Sequence, residues 1–329
     1  MTSFDPLQPF RPRLEAVPLA YAALDPLFRD SPLLAVPAWA PAGGATFCKV
    51  ETLNPIRSFK GRGACWLVHE LARLGERPPL FCASAGNFGQ GLAWAARAAG
   101  FPCRVYAAAA ANPLKVARMR ELGAEVWLGG ADFDAAKDHA RTAATAAGAL
   151  FVEDGRERAV AEGAATIAYE MLRQGPAPDA VFVPLGNGAL ILGIASWLKA
   201  HSPATRIIGV AATGAPAMAL SFAARAPQAT ASIATIADGI GVRVPVPEAV
   251  ALMDGLVDEV VLVSDEQILA ALRASLATLG LLLEPAGAAG LAALLDRRAE
   301  LPAARLATIL CGGNLSPELE PLLLAGSSC

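Results

Sequence analysis

Short apolar runs alternate with segments of helical periodicity over most of this 329-residue chain, and that alternation constrains the fold more than any other feature. The runs fall at 80–82, 103–107, 125–128, 149–152, 180–183, 207–210, 257–263 and 306–310. Strands that are apolar throughout must be covered on both faces, and the helices between them supply the cover. The pattern therefore predicts an α/β fold with mostly parallel sheets. Hydrophobic residues make up 54% of the chain, enough for one large core or two moderate ones. Residues 1 to about 45 are rich in proline and lack periodicity, so they read as an arm around the body.

Composition removes several classes of function. The formal net charge is −3, with no basic patch or run of like charges, which argues against nucleic acid or an anionic membrane as partner. The uncharged stretch 180–198 could span a bilayer by length, but Pro184 and Gly186-Asn187-Gly188 divide it into strand, loop and helix. Met1-Thr2-Ser3-Phe4-Asp5-Pro6 lacks the basic-then-apolar pattern of a secretion signal, and a cytoplasmic protein is expected. Cysteines 48, 65, 82, 103, 311 and 329 show no C-x-x-C spacing, so reduced thiols are expected. His69, His139 and His201 lie far apart in helix-like segments, which leaves no histidine-ligated metal and no histidine-based triad.

Chemistry gathers in three stretches. In Asn54-Pro55-Ile56-Arg57-Ser58-Phe59-Lys60-Gly61-Arg62-Gly63-Ala64, a turn dipeptide leads to a serine able to cap the amphipathic run that follows. Lys60 then falls in the first helical turn, where the positive dipole end disfavours an ammonium and favours a nucleophilic amine. Lysine is scarce here, with positions 49, 60, 115, 137 and 199 holding all of it. Ser84-Ala85-Gly86-Asn87-Phe88-Gly89 sits between an apolar run and a helical pattern, a context that turns backbone N–H groups toward an anion. Gly186-Asn187-Gly188-Ala189-Leu190 has the same setting and is the better phosphate cradle, with small residues that let the backbone approach.

Taken together, the lysine stretch and the Ser84 turn resemble the serine/threonine dehydratase (threonine ammonia-lyase) branch of the fold type II pyridoxal 5′-phosphate (PLP) enzymes. The resemblance runs along nearly the whole chain. It implies a larger lobe of 1–54 and 156–329, a smaller mobile lobe of 55–155, and PLP between them. It also implies that Lys60 holds the cofactor covalently, Phe59 lies against its ring and Asn87 bonds the ring hydroxyl. Gly186, Asn187, Gly188, Ala189 and Leu190 would bind the phosphate, Glu284 would belong to the cofactor site, and Cys311 would sit by the pyridine nitrogen. Ser84, Ala85 and Asn87 would hold the substrate carboxylate, with Lys60 and Ser84 as catalytic groups and the cofactor phosphate protonating the leaving hydroxyl.

The implied activity is dehydration and deamination of L-threonine, L-serine or a bulkier β-hydroxy amino acid, by an enzyme whose relatives are commonly homodimers. Departures qualify it. The phosphate loop is usually four glycines, whereas Asn187 and Ala189 interrupt it here; Asn tolerates a left-handed backbone, and neither residue removes an N–H. Glu162-Gly163-Ala164-Ala165-Thr166 replaces the usual Gly-Gln-Gly-Thr, leaving open a changed substrate pocket or neutral drift at a helix start. Ala211 and Ala217 stand where metal-binding relatives carry carboxylates, so no magnesium or manganese site is expected. Ala85 stands where racemases place a serine, which ranks racemization below elimination, and the lysine motif differs from that of the cysteine synthases that perform β-replacement. The 112–126 stretch reads as helix, cap and strand without chemistry. The short tail after Glu320 leads to the expectation that no C-terminal regulatory domain is present.

Overall fold

The computed structural model describes residues 7–75 and 77–324, so Met1 to Pro6 and Cys329 lie outside the described residues. In chain order the elements are α1 (Ala16–Ala23), β1 (Leu33–Ala35), β2 (Ala45–Val50), α2 (Lys60–Arg73), β3 (Leu80–Ala83), α3 (Asn87–Ala99), β4 (Cys103–Ala107), α4 (Pro113–Glu121) and β5 (Glu125–Leu128). There follow α5 (Phe133–Ala147), β6 (Leu150–Phe151), α6 (Arg158–Gln174), β7 (Ala180–Pro184), α7 (Ala189–His201), β8 (Arg206–Ala212), α8 (Ala217–Ala224) and α9 (Pro247–Met253). The chain then runs through β9 (Glu259–Val263), α10 (Asp265–Leu279), α11 (Pro285–Arg297), β10 (Arg305–Leu310) and α12 (Glu320–Leu324).

The strands form two sheets. One has six strands in the order β1-β2-β10-β7-β8-β9, parallel except for the edge pair β1 and β2. The other has four parallel strands in the order β5-β4-β3-β6. The inner strands β3, β7 and β10 are buried on both faces, their successive side chains pointing to opposite sides. Val181 and Val183 of β7 pack into one apolar cluster with Ile167 and Ile191, while Phe182 packs into another with Ile208 and Leu291. In the smaller sheet Leu80, Cys82 and Val105 face α3 and α4, whereas Phe81 and Tyr106 meet Ala140 and Ala144 of α5.

Strand order places the site. In each sheet the chain leaves one strand to build outward in one direction and returns on that strand's other side. This produces a crevice at the carboxyl ends, the place where open α/β sheets bind ligands. In the larger sheet the crevice lies between β7 and β10, which end at Pro184 and Leu310. In the smaller sheet it lies between β3 and β6, which end at Ala83 and Phe151.

Three sequence expectations need correction. The 1–45 arm carries α1 and β1, and β2 is a further strand that the apolar-run pattern passes over. The helix cap is also different. Phe59 holds the N-cap position of α2 without a side-chain bond, and the Lys60 N–H reaches Ser58 Oγ at 3.4 Å. Finally, Gly163, Ala164 and Ala165 sit well inside α6 rather than at its start. Both alanines are buried in the core, and neither lines the cavity around Lys60. Gly163 is required by contact: a Cβ there would lie 2.5 Å from the Arg62 carbonyl oxygen, because α2 and α6 touch backbone to backbone.

Candidate active site

The lysine segment is shaped by its own turn and then stitched to the larger sheet. Asn54 Oδ1 accepts from the N–H groups of Ile56 and Ser58, while its Nδ2 donates to the carbonyls of Glu51 and Ser58. The Phe59 N–H and the Ser58 hydroxyl both donate to the Cys311 carbonyl just past β10, at 3.1 and 3.2 Å. Lys60 therefore starts α2 with its amine over the Phe59 ring, 4.8 Å from the ring centre, and 2.5 Å from Asp154 Oδ2.

Around that amine lies a cavity of about 660 Å³. Its walls include Phe59, Lys60, Ser84, Ala85, Asn87, Gly186, Asn187, Gly188, Ala189, Leu190, Glu284 and Cys311, so every expected site residue meets in one space. Two turns with unpaired N–H groups face it. Among the described residues, the N–H groups of Gly186, Asn187, Gly188 and Ala189 donate to no protein acceptor, and they open the 13-residue helix α7. The left-handed residue of this loop is Gly188 at φ 103°, not Asn187. The N–H groups of Ala85, Asn87 and Phe88 are similarly unpaired at the start of α3. Ser84 differs from expectation. Its own N–H is used by the Tyr106 carbonyl, and its Oγ accepts from Gly86 and Gly89, so only its hydroxyl proton is free to face the cavity.

Two buried titratable groups close the inner wall. Asn87 Nδ2 donates to Glu284 Oε1 at 2.5 Å, and Asn314 Nδ2 donates to Asn87 Oδ1 at 2.8 Å, which fixes the Asn87 amide. Burial pushes the Glu284 carboxyl up to about 7, with Lys115 opposing the rise and Asp238 adding to it. Burial likewise raises the Cys311 thiol far above its ordinary range, so it stays protonated and is at most a weak hydrogen-bonding partner.

A match to the family model of pyridoxal-phosphate dependent enzymes extends over residues 24–312, nearly the whole described chain. This chain belongs to that family. An L-threonine ammonia-lyase of Geobacter sulfurreducens is 38% identical over 82% of this chain and 67% of its own length. The phenylserine dehydratase of Ralstonia pickettii is 34% identical over 92% of this chain and 93% of its own. In structure, threonine deaminase isoform 2 of Solanum lycopersicum superimposes with a TM-score of 0.87 at 28% identity, covering 98% of this chain and 96% of that one.

The residues of this PLP enzyme fit the cofactor. Unpaired N–H groups at the start of α7 suit a phosphate dianion, the Lys60 amine suits an aldehyde, and the cavity is large enough for the cofactor together with an amino acid. Among the described residues no group of three or more His, Cys, Asp or Glu could hold a metal ion, and no helix is long and apolar enough to cross a membrane.

Sequence reasoning passed over several cavity residues. Asp154 follows β6, and only its place in the smaller sheet's crevice reveals it. Lys115 lies in the 112–126 stretch, which reads in the sequence as helix, cap and strand, yet it lines the cavity and pairs with Asp238 at 2.5 Å. A second rim pair joins Arg243 to Asp134. Both span from the smaller sheet's helices to loops of the larger sheet, and nothing local in the sequence signals either.

Proposed function

We propose that this PLP enzyme is an ammonia-lyase that removes water and then ammonia from a β-hydroxy amino acid, leaving a 2-oxo acid, and that its substrate carries a bulkier Cβ group than serine. The observation that carries the reading is the Lys60 amine set in one cavity with two separate turns of unpaired N–H groups, one for a phosphate and one for a carboxylate.

Bound PLP supplies the electron sink that weakens the Cα–H bond of an amino acid. Lys60, as a free amine, takes the α-proton at Nζ. The Ala85, Asn87 and Phe88 N–H groups and the Ser84 hydroxyl hold the carboxylate, helped by the positive end of α3. Gly186 to Ala189 anchor the phosphate, and Phe59 packs beside the amine. The Cys311 thiol is a poor partner for a ring nitrogen, which favours quick loss of a β-substituent. At Ala85 the wall offers a methyl group, and racemization needs a proton-carrying group there.

Bulk at Cβ is supported by the outer cavity wall. Phe133, Ile233 and Val244 line it and remain 39%, 42% and 43% exposed, an apolar surface that an aryl or branched substituent would cover. The likeness to a phenylserine dehydratase supports the same reading. Residues 55–155 act in it as the lobe that closes over substrate, in a cytoplasmic homodimer.

Ammonia release measured across serine, threonine and β-aryl or β-branched serines tests the reading. The expected order is higher kcat/KM for the bulky members, and absence of ammonia from every β-hydroxy amino acid would sink it. Added thiol with O-acetylserine should give no thioether product, which separates elimination from β-replacement. Sedimentation of the purified protein checks the dimer.

A further inference from the structure

Just past β10 stands an asparagine that does not line the Lys60 cavity and yet sets the polarity of a residue that does. Asn314 Nδ2 spends both of its protons, one on the Ile56 carbonyl and one on Asn87 Oδ1, each at 2.8 Å. A side-chain amide has nearly the same shape either way round, so its direction must come from a partner with a single role. The Ile56 carbonyl is such a partner, because a backbone oxygen only accepts. It calls for the nitrogen of Asn314, which in turn calls for the oxygen of Asn87. Asn87 Nδ2 is thereby left beside Glu284 Oε1, at 2.5 Å, on the wall that Asn87 and Glu284 share.

Glu284 cannot set this direction by itself. Burial pushes its carboxyl up to about 7, so near neutrality it stands as acid or as anion and can serve either end of an amide. The loop behind is what holds firm. The Glu284 N–H donates to the Gly312 carbonyl at 3.0 Å, the Gly313 N–H donates to the Arg57 carbonyl at 2.9 Å, and a Cβ at Gly312 would lie 1.9 Å from Glu284 Oε1. Asn314 is thus tied to the same turn that presents Lys60. Asn87 Nδ2 carries two protons, and among the described residues only Glu284 takes one, so the second is unspent.

We propose that Asn314 is a positioning residue: through Asn87 Oδ1 it commits the unspent Asn87 Nδ2 proton to an anionic oxygen of a molecule bound in the Lys60 cavity. This rests on the reading of that cavity as the cofactor site, and it holds whichever reaction follows. The oxygen belongs either to the cofactor ring or to the carboxylate of the amino acid. A fixed donor favours the ionised form of both. With the Asn87 amide turned over, a carbonyl oxygen would stand in the donor's place and favour the protonated form.

Asn314→Asp keeps the shape and removes both donors, Asn314→Ala removes the shape as well, and each is also made together with Asn87→Ala. The folded proteins, checked by thermal midpoint, are loaded with PLP and their spectra taken without substrate, because an ionised ring oxygen absorbs at longer wavelength than a neutral one. The ratio of the long-wavelength band to the near-ultraviolet band should fall at least ~10-fold in Asn314→Asp, the loss of one hydrogen bond to a charged group. Asn314→Ala should lose less, since Glu284 still draws the nitrogen; a role in loop packing alone would reverse that order. In the Asn87→Ala background neither change should move the ratio further, which separates positioning from the added charge of an aspartate. If the bands stand and the half-saturating concentration of L-alanine, read in the same spectra, rises ~10-fold with the same order and the same dependence on Asn87, the oxygen is the carboxylate. Both readouts unchanged, Asn314→Ala at least as harmful as Asn314→Asp, or undiminished effects without Asn87 would overturn the proposal. Wild-type readouts in Asn87→Ala alone would overturn it too, together with the placement of Asn87 against the cofactor or its substrate.

Discussion

Two lysines of this chain, Lys49 and Lys60, lie close in sequence and have opposite surroundings. Lys49 is fully buried in β2, and its three protons go to the Ser31 carbonyl, Glu170 and Gln174 at 2.6, 2.6 and 2.8 Å. Its neighbour in that cluster, Arg62, is equally complete, with Glu51, Glu170, Thr166 and Ser31 around the guanidinium. Among the described residues Lys60 has one protein acceptor, Asp154, whose other oxygen has no partner. A buried charge with every partner present has nothing left to offer a ligand, whereas an incomplete pair on a cavity wall does.

That contrast can be broken most decisively at Lys60. Lys60→Ala should abolish both turnover and covalent cofactor capture while leaving the thermal midpoint near wild type, read by ammonia assay, mass spectrometry and calorimetry. Lys49→Met should do the reverse, lowering stability by about 3–5 kcal/mol in denaturant titration, the usual cost of removing one partner of a buried pair. If folded Lys49→Met protein lost turnover instead, the division between the two lysines would be wrong.

Glu284 sharpens the comparison, being buried like Lys49 yet held on the cavity wall. Its carboxyl ionises near 7 in the fold and near 4.5 in an unfolded chain, so between those values the folded state binds more protons. Stability of cofactor-free protein should therefore fall as pH rises from 4.5 to 7, by about 3 kcal/mol at ~1.4 kcal/mol per pKa unit, and level off above. Glu284→Gln should flatten that slope in unfolding midpoints measured across the range; an unchanged slope would assign it to another group. The smallest effect is expected at the rim. Lys115→Ala should cost no more than ~1 kcal/mol in urea titration, since Asp238 is 60% exposed.

How much could be read from the sequence follows from how local each signal is. The Lys60 segment and the Gly186 loop are each written within about a dozen residues, by turn residues and glycines whose backbone role does not depend on distant partners. β2 was hidden because Lys49 interrupts its apolar run, and only Glu170 on a remote helix makes that charge tolerable. Pro18 masked α1 in a proline-rich stretch, although a proline early in a helix is harmless. Asp154 was unreadable for a different reason. Between Glu153 and Gly155 it has the composition of any surface turn, and its meaning comes from β6 returning beside β3.

The pairs Lys115–Asp238 and Arg243–Asp134 have a kinetic corollary. Both join cavity-lining residues of the two sheets' surroundings, and each keeps one carboxylate or guanidinium partly in water. Such a doorway is held by forces that dissolved ions weaken over a distance of about 8–10 Å. Added salt should loosen these pairs long before it disturbs the oily interior, so traffic through the entrance would answer to ionic strength while the chemistry within would not.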